Sequence, residues 1–336
     1  MARDVFFRLT VGLNVLIAAI LLIGCGGSKS SDEKTVSSKT TPVFNVDSAY
    51  SFVEKQVSFG PRVPNSRAHQ IAGDYLIEKL KGYGALVTIQ SFEASTFDNK
   101  ILSLRNIIAA FNPALQKRII LAAHWDTRPF ADKDPEKPNA PMDGANDGAS
   151  GVAILLEIAR LMDTNNKPEV GIDIILFDGE DWGEKHDESS HHALPQGQGS
   201  WWCLGSQYWS TNKHKPAYQA QYGILLDMVG GRNAKFFREG TSLEYAGSVV
   251  TKIWTMAAKK GYSSVFVHQD QDAVLDDHQF MNEKANIPTA DIISYDPVEQ
   301  SFGAFHHTTN DNISIISKET LGTVGTVVLA VIYAEQ

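Results

Sequence analysis

Five short stretches of this chain carry side chains that could bind a metal or move a proton. One apolar run ends in His124-Trp125-Asp126, and GANDGASG (144–151) sets Asp147 just ahead of a helical pattern. A second apolar run ends in Phe177-Asp178-Gly179-Glu180-Asp181, and a third in Leu225-Leu226-Asp227. Near the end of the chain comes Phe305-His306-His307-Thr308-Thr309-Asn310-Asp311. Taken one at a time these residues read blandly: Asp147 as a helix N-cap, His124 as a half-buried histidine, Glu180-Asp181 as a solvated turn. Taken together, three strands deliver carboxylate or imidazole to one edge of one sheet. Charges buried there are costly unless a cation sits among them. Histidine with Asp or Glu, and no Cys, suits zinc at an open, catalytic position.

Other templates fail. GASGV (148–152) lacks the spacing of a G-x-S-x-G nucleophile elbow. His186 and His191 do not make H-E-x-x-H, because Asp187 follows His186, and the set His186, His191, His192 reads as a solvated loop. Neither a phosphate loop nor a dinucleotide fingerprint occurs.

The elements that must position these residues alternate. Residues 47–56 read as a helix. Ser66 is placed to cap a second one running to about Leu80, with Ile71, Tyr75, Leu76 and Leu80 on its apolar stripe. Residues 86–92 and 102–111 alternate like strands, whereas 119–123, 172–177 and 224–228 are continuous apolar runs that read as buried strands. Helical patterns cover 149–162, roughly 199–210, 242–260 and 318–334, with a further strand at 289–293. Buried strands spaced by helices predict an α/β fold: a single-domain, three-layer α/β/α body around a mixed, largely parallel sheet. Ligands in such folds sit beyond the carboxyl ends of the strands. The loop 186–198 lies where a site rim is expected.

With 43% hydrophobic and 21% charged residues, the 336-residue chain can bury a sizeable core. Its net charge of −9, with no basic run, argues against nucleic acid as a partner. Arg3 and Arg8 precede an apolar stretch from Leu9 to Ile23, and Leu22-Ile23-Gly24-Cys25 resembles a bacterial lipobox. The expected organisation is a lipoprotein signal peptide (1–24), a Ser- and Lys-rich tether (25–42) that starts at an acylated Cys25, and a catalytic domain (43–336). The protein would then be exported and held by lipid in the cell envelope, with the bilayer as one partner. Cys203 is left without a disulfide partner.

The order H-x-D, G-A-x-D, carboxylate pair, L-D and terminal H-T resembles the zinc exopeptidase superfamily. Within it, GPRVPNS (60–66), SLRNIIAAFNP (103–113), LAAHWDT (121–127), FDGED (177–181), GSQYW (205–209) and DDHQF (276–280) resemble the glutaminyl-peptide cyclotransferase family. That resemblance implies one zinc held by Asp147, Asp181 and His307, with Glu180 as general acid and base. It also implies an acidic hydrogen-bonded network of Asp227 and Asp276 beside the metal, and a substrate pocket that includes Phe302 and His306. The reaction implied is closure of an N-terminal glutamine of a peptide or protein to pyroglutamate, with release of ammonia. The same residues also fit an aminopeptidase with two zinc ions, in which His124 and Asp227 bind the second, Asp147 bridges, and Glu180 activates water. Three residues depart from the cyclase pattern: Asp181 replaces the usual Glu, His306 stands in place of Trp, and Asp291 in place of His. Trp182, Trp201 and Trp202 are the candidates to restore the aromatic wall.

Overall fold

Among the described residues, seven α-helices and eight strands position the site. The computed structural model describes residues 40–163, 166–185, 192–296 and 300–336, which form one compact unit. The signal-like segment, Cys25, most of the tether, His186 and His191 lie outside them.

The elements run α1 (Val46–Val57), α2 (Arg67–Gly82), β1 (Leu86–Ser95), β2 (Ile101–Phe111), β3 (Arg118–His124), α3 (Ala149–Met162), β4 (Gly171–Phe177) and α4 (Leu204–Thr211). Then follow β5 (Tyr222–Asp227), β6 (Phe236–Arg238), α5 (Gly240–Lys259), β7 (Phe266–Asp270), α6 (Asp277–Glu283), β8 (Thr289–Ile293) and α7 (Lys318–Tyr333). Six strands form one sheet in the order β1-β2-β4-β3-β5-β8. The β1–β2 and β2–β4 pairs are antiparallel, whereas β4–β3, β3–β5 and β5–β8 are parallel. The mixed, largely parallel sheet expected from the apolar runs is therefore present.

Alternation along the central strands decides which face each side chain joins. Ile119, Leu121 and Ala123 of β3 pack with Ile172, Ile174 and Leu176 of β4 into the larger core, under α1, α2, α3, α5 and α7. Ile120, Ala122, Ile175 and Phe177 point the other way and meet Trp209 of α4 and Met281 of α6. Both faces of β3, β4 and β5 are buried along their whole length, which is why these strands are mostly apolar, with the buried Asp173 of β4 paired to Arg118 of β3. The connection from β3 leads to β4 on one side, and the next leads to β5 on the other. The crevice where strand order reverses opens at the carboxyl ends of these three strands.

Ser66 does cap α2, its side chain accepting from the His69 amide at 3.1 Å. The apolar stripe is rotated from the expected one, however. Ile71 is exposed and Ala72, Leu76, Ile77 and Leu80 are buried, because Trp125 draws the first turn inward by stacking on His69 with ring centroids 4.3 Å apart. Helix α4 starts at Leu204 rather than near 199, since Gly199–Cys203 form a loop whose last residue is left-handed at φ 58°. The small parallel sheet β6–β7 has no counterpart in the sequence expectation; three residues of β6 are too few to show a period. None of the described helices is long and apolar enough to cross a membrane.

Candidate functional site

His124 is the last residue of β3, Asp227 is the last of β5, and Glu180-Asp181 follow β4 by a short turn. Asp147 lies in the turn before α3, and His307 lies in the loop between β8 and α7. All line, or lie directly beneath, one cavity of about 420 Å³ at the carboxyl ends of the strands.

Two clusters meet at Asp147. Nε2 of His307 lies 3.3 Å from Oδ1 of Asp181 and 3.9 Å from Oδ2 of Asp147. Nε2 of His124 lies 3.0 Å from Oδ1 of Asp147 and 3.3 Å from Oδ1 of Asp227. The three expected ligands, far apart in sequence, are brought together here. Asp147 is not the cap of α3. Gly148 takes the N-cap position with φ 55° and no side-chain bond, which frees the Asp147 carboxylate to turn into the cavity. A Cβ at Gly148 would lie 2.6 Å from the His124 carbonyl, so the turn tolerates glycine alone.

The donor set fits a divalent metal. Both oxygens of the Asp181 carboxylate are buried without a hydrogen-bond partner among the described residues. Burial and the neighbouring Asp147 charge push that carboxyl well above its ordinary range. Asp147 goes the other way: burial opposes ionisation, but the His124 hydrogen bond and charge outweigh it. His307 is driven well below its usual range by burial and then by Arg128, which leaves a neutral imidazole of the kind that ligates metals. Arg128 Nη1 stands 3.7 Å from Oδ1 of Asp181, and a further cation among these groups would give both oxygens of that carboxylate a partner and relieve the repulsion. Two donor sets that share Asp147 have their atoms within 4.8 Å of one another: Asp147 with His306 and His307, and Asp147 with His124 and Asp227.

The ligands are held by residues to which the sequence reading gave no role of their own. Asp126 accepts the amides of Glu180 at 3.0 Å and Asp181 at 3.2 Å, fixing the turn after β4. Asp311 accepts the amides of Asn146 at 2.8 Å and Asp147 at 3.0 Å, tying the loop of His307 to the loop of Asp147. Arg128 is fully buried. It grips Asp132 with two bonds of 2.7 and 2.8 Å and donates to the Asp181 carbonyl at 3.1 Å. Asp132 Oδ1 in turn lies 3.7 Å from Nδ1 of His307. One guanidinium therefore sets the register of two candidate ligands from different loops. Carboxylates behind a ligating imidazole raise its basicity and fix its ring. Asp132→Asn should weaken zinc binding by about 10- to 100-fold in a chelator competition; an unchanged affinity would show that Asp132 does not support His307. Of these supporting residues, Asp126 and Asp311 were legible as parts of quoted motifs. Arg128 and Asp132 carried no signal, because the groups they support lie far away in sequence.

Glu180 sits beside Asp181 at the cavity, and burial pushes its carboxyl well above the usual range. His124 opposes that shift, whereas Asp181, Asp276 and Asp277 add to it. Asp227 is pushed up to about 7, by burial first. Its hydrogen-bond partner is His124, and the Asp276 carboxylate accepts the Asp277 amide as the cap of α6. The short Asp227–Asp276 link expected of the network is not among the hydrogen bonds between described residues. Asp276 instead clusters with His278 and Asp291, their donor atoms within 4.8 Å. Asp276 lies within the same distance of Glu180 and Cys203 as well.

His306 meets Phe302 edge-on with centroids 4.8 Å apart, so both expected pocket residues do line the cavity. Nδ1 of His306 accepts from Lys133 at 2.8 Å, giving this wall a polar back that Trp would lack. Trp202 stacks flat on His307 at 5.7 Å and supplies the aromatic surface. Trp182 and Trp201 do not contribute to it; they pack with Phe97, Leu104 and Phe130 in a separate cluster. His192 pairs with Glu184 at the surface, as a solvated loop residue should.

The family model for peptidase family M28 matches residues 106–332, which contain every candidate ligand. The chain belongs to peptidase family M28. Its fold superposes on a Bacteroides thetaiotaomicron glutaminyl cyclase bound to N-acetylhistamine, with a TM-score of 0.85 and 48% identity over 88% of this chain and 100% of that one. A leucine aminopeptidase precursor from the same species is similar at 47% identity and TM-score 0.84, over 88% and 99% of the two chains. In sequence, the glutaminyl-peptide cyclotransferase of Drosophila melanogaster is 24% identical over 80% of this chain and 75% of its own length. The zinc exopeptidase fold expected from the motifs is thus the fold of this M28 member.

Proposed function

We propose that this M28 protein is a zinc-dependent glutaminyl-peptide cyclotransferase acting on N-terminal glutamine of peptides and proteins. The observation that carries the reading is the Asp181 carboxylate, without a hydrogen-bond partner among the described residues, facing Asp147 and His307 with Glu180 next to it, in a chain 48% identical to a glutaminyl cyclase. Asp147, Asp181 and His307 would hold the metal. Zinc bound there supplies a Lewis acid for the γ-carboxamide of the substrate.

The chain's own residues do the rest. Trp202, Phe302 and His306 wall the cavity, holding the glutamine side chain curled so that its α-amine approaches its own carboxamide carbon. Ring closure is intramolecular, and orientation therefore counts for more than base strength. The α-amine nitrogen bonds to the carboxamide carbon (Cδ), and the bond from that carbon to the carboxamide nitrogen breaks. Glu180 takes the proton from the amine and returns it to the departing nitrogen, which leaves as ammonia. A carboxyl whose affinity for protons is raised by burial suits that double task.

A second reading is favoured by one observation: His124, Asp147 and Asp227 complete the donor set of a second metal, as an aminopeptidase with two zinc ions would need. Incubating a Gln-initiated peptide and weighing the products separates the two. Loss of ammonia with the residue retained supports the cyclase, and a released free amino acid refutes it. The lipobox-like Leu22–Cys25 supports export and anchoring of the protein in the cell envelope through an acylated Cys25. Labelled fatty acid that still enters a Cys25→Ala variant would sink that part.

A further inference from the structure

The carboxylate of Glu180 receives one hydrogen bond from the described residues, and it comes from a thiol. Sγ of Cys203 lies 3.2 Å from Oε1 of Glu180. On the other oxygen, Oε2, Nδ1 of His124 stands off at 4.0 Å, outside hydrogen-bond range. Cys203 is completely buried. It occupies the N-cap position of α4, where Ser, Thr, Asp or Asn would ordinarily accept an amide of the first turn, yet its side chain makes no such bond. It is aimed at Glu180 instead. The backbone is committed to the same end: the Cys203 amide donates to the Glu180 carbonyl at 2.9 Å, and the Leu204 amide to the Gly179 carbonyl at 3.0 Å. Cys203 also holds a left-handed φ of 58°, a conformation that side chains other than Gly and Asn rarely adopt. A strained residue pinned by two successive amides to the turn of Glu180, with its own side chain turned onto that carboxylate, has the form of a support.

We propose that Cys203 is a positioning residue for the proton-transfer step: its S–H holds Oε1 of Glu180 and leaves Oε2 as the oxygen that meets the substrate amine. The inference rests on the cyclase reading. It gives the second cysteine of the chain a task that involves neither a disulfide nor a metal. Burial and the adjacent Glu180 push the thiol well above its ordinary range, so the proton needed for donation stays on sulfur. The thiol donates a hydrogen bond and exchanges no proton with substrate. Its removal should therefore act on turnover and leave binding alone.

The test is steady-state kinetics of Cys203→Ala and Cys203→Ser on a Gln-initiated peptide, with zinc content and melting temperature measured alongside. Cys203→Ala should lower kcat about tenfold, the value of one orienting hydrogen bond, with KM moved less than about twofold. Cys203→Ser retains a donor at nearly the same place and should return kcat to within about threefold of the parent. On a Glu180→Gln background, Cys203→Ala should add no further loss in single-turnover assays. An alanine variant with parental kcat overturns the role, and so does a folded, zinc-loaded serine variant as slow as alanine, or an additional loss on the Glu180→Gln background. If Cys203→Ala does not fold, Cys203→Gly, which also lacks a donor and suits the left-handed backbone, takes its place, with the same outcomes supporting or overturning the role. A parent protein that does not cyclise the peptide removes the cyclase reading itself, whereas a cyclising parent with an unimpaired alanine variant removes only the role of Cys203.

Discussion

Glu180→Gln should lower turnover of a Gln-initiated peptide by about 10²- to 10⁴-fold, the usual worth of general acid–base catalysis. Zinc content should stay at the parental level. The substitution is isosteric, and Asp126 holds this turn through the backbone amides of residues 180 and 181, which do not change. Glu180 is also absent from the Asp147, Asp181 and His307 set. The side chain loses only its ability to take a proton from the α-amine and pass it to the leaving nitrogen. Activity within about tenfold of the parent, with zinc intact, would take Glu180 out of the mechanism and leave ring closure to orientation alone.

His307→Ala should cost both the metal and the reaction. The imidazole is the one uncharged donor of the set, and its Nε2 lies 3.3 Å from an Asp181 carboxylate that has no hydrogen-bond partner among the described residues. Without it the site loses the neutral donor beside Asp181, and His306, which lies within donor distance of Asp147, is already hydrogen-bonded to Lys133. Zinc per chain after dialysis should fall to a small fraction. Loss of Lewis-acid stabilisation worth several kcal/mol should drop turnover on the order of 10³-fold. Full zinc occupancy in the variant would move the metal to another donor set, with His124, Asp147 and Asp227 first in line. The Asp132→Asn experiment reports on the same imidazole from behind. Comparing its zinc affinity with that of His307→Ala would show how much of the metal binding comes from the support.

Residue types alone carry much of this protein. The apolar runs at β3, β4 and β5 read as strands covered on both faces, and polar residues that follow the ends of parallel strands then gather at one edge. That logic is local and placed His124, Glu180, Asp181 and Asp227 at a common edge without coordinates, whereas Asp147 and His307 were assigned to the metal by the resemblance to the cyclotransferase family. Short or shifted elements escaped it. Three-residue β6 shows no period, and α4 begins late because Gly199–Cys203 are spent on reaching Glu180. Ile71 points outward because a stack between His69 and Trp125, 56 positions apart in the chain, sets the rotation of α2.

What the fold alone decided is how the reactive groups are held. Arg128 and Asp132 look like any charged loop pair until chain folding sets them behind His307 and against the Asp181 carbonyl. Asp291 reads as a simple loss of histidine, and only packing reveals that it gathers Asp276 and His278 around itself. Cys203 reads as a spare thiol until it meets Glu180. The physical reason is the same in each case. Periodicity and capping depend on neighbours within a few residues, whereas the field and hydrogen bonds at a buried site are set by groups that only tertiary contact brings within about 4 Å.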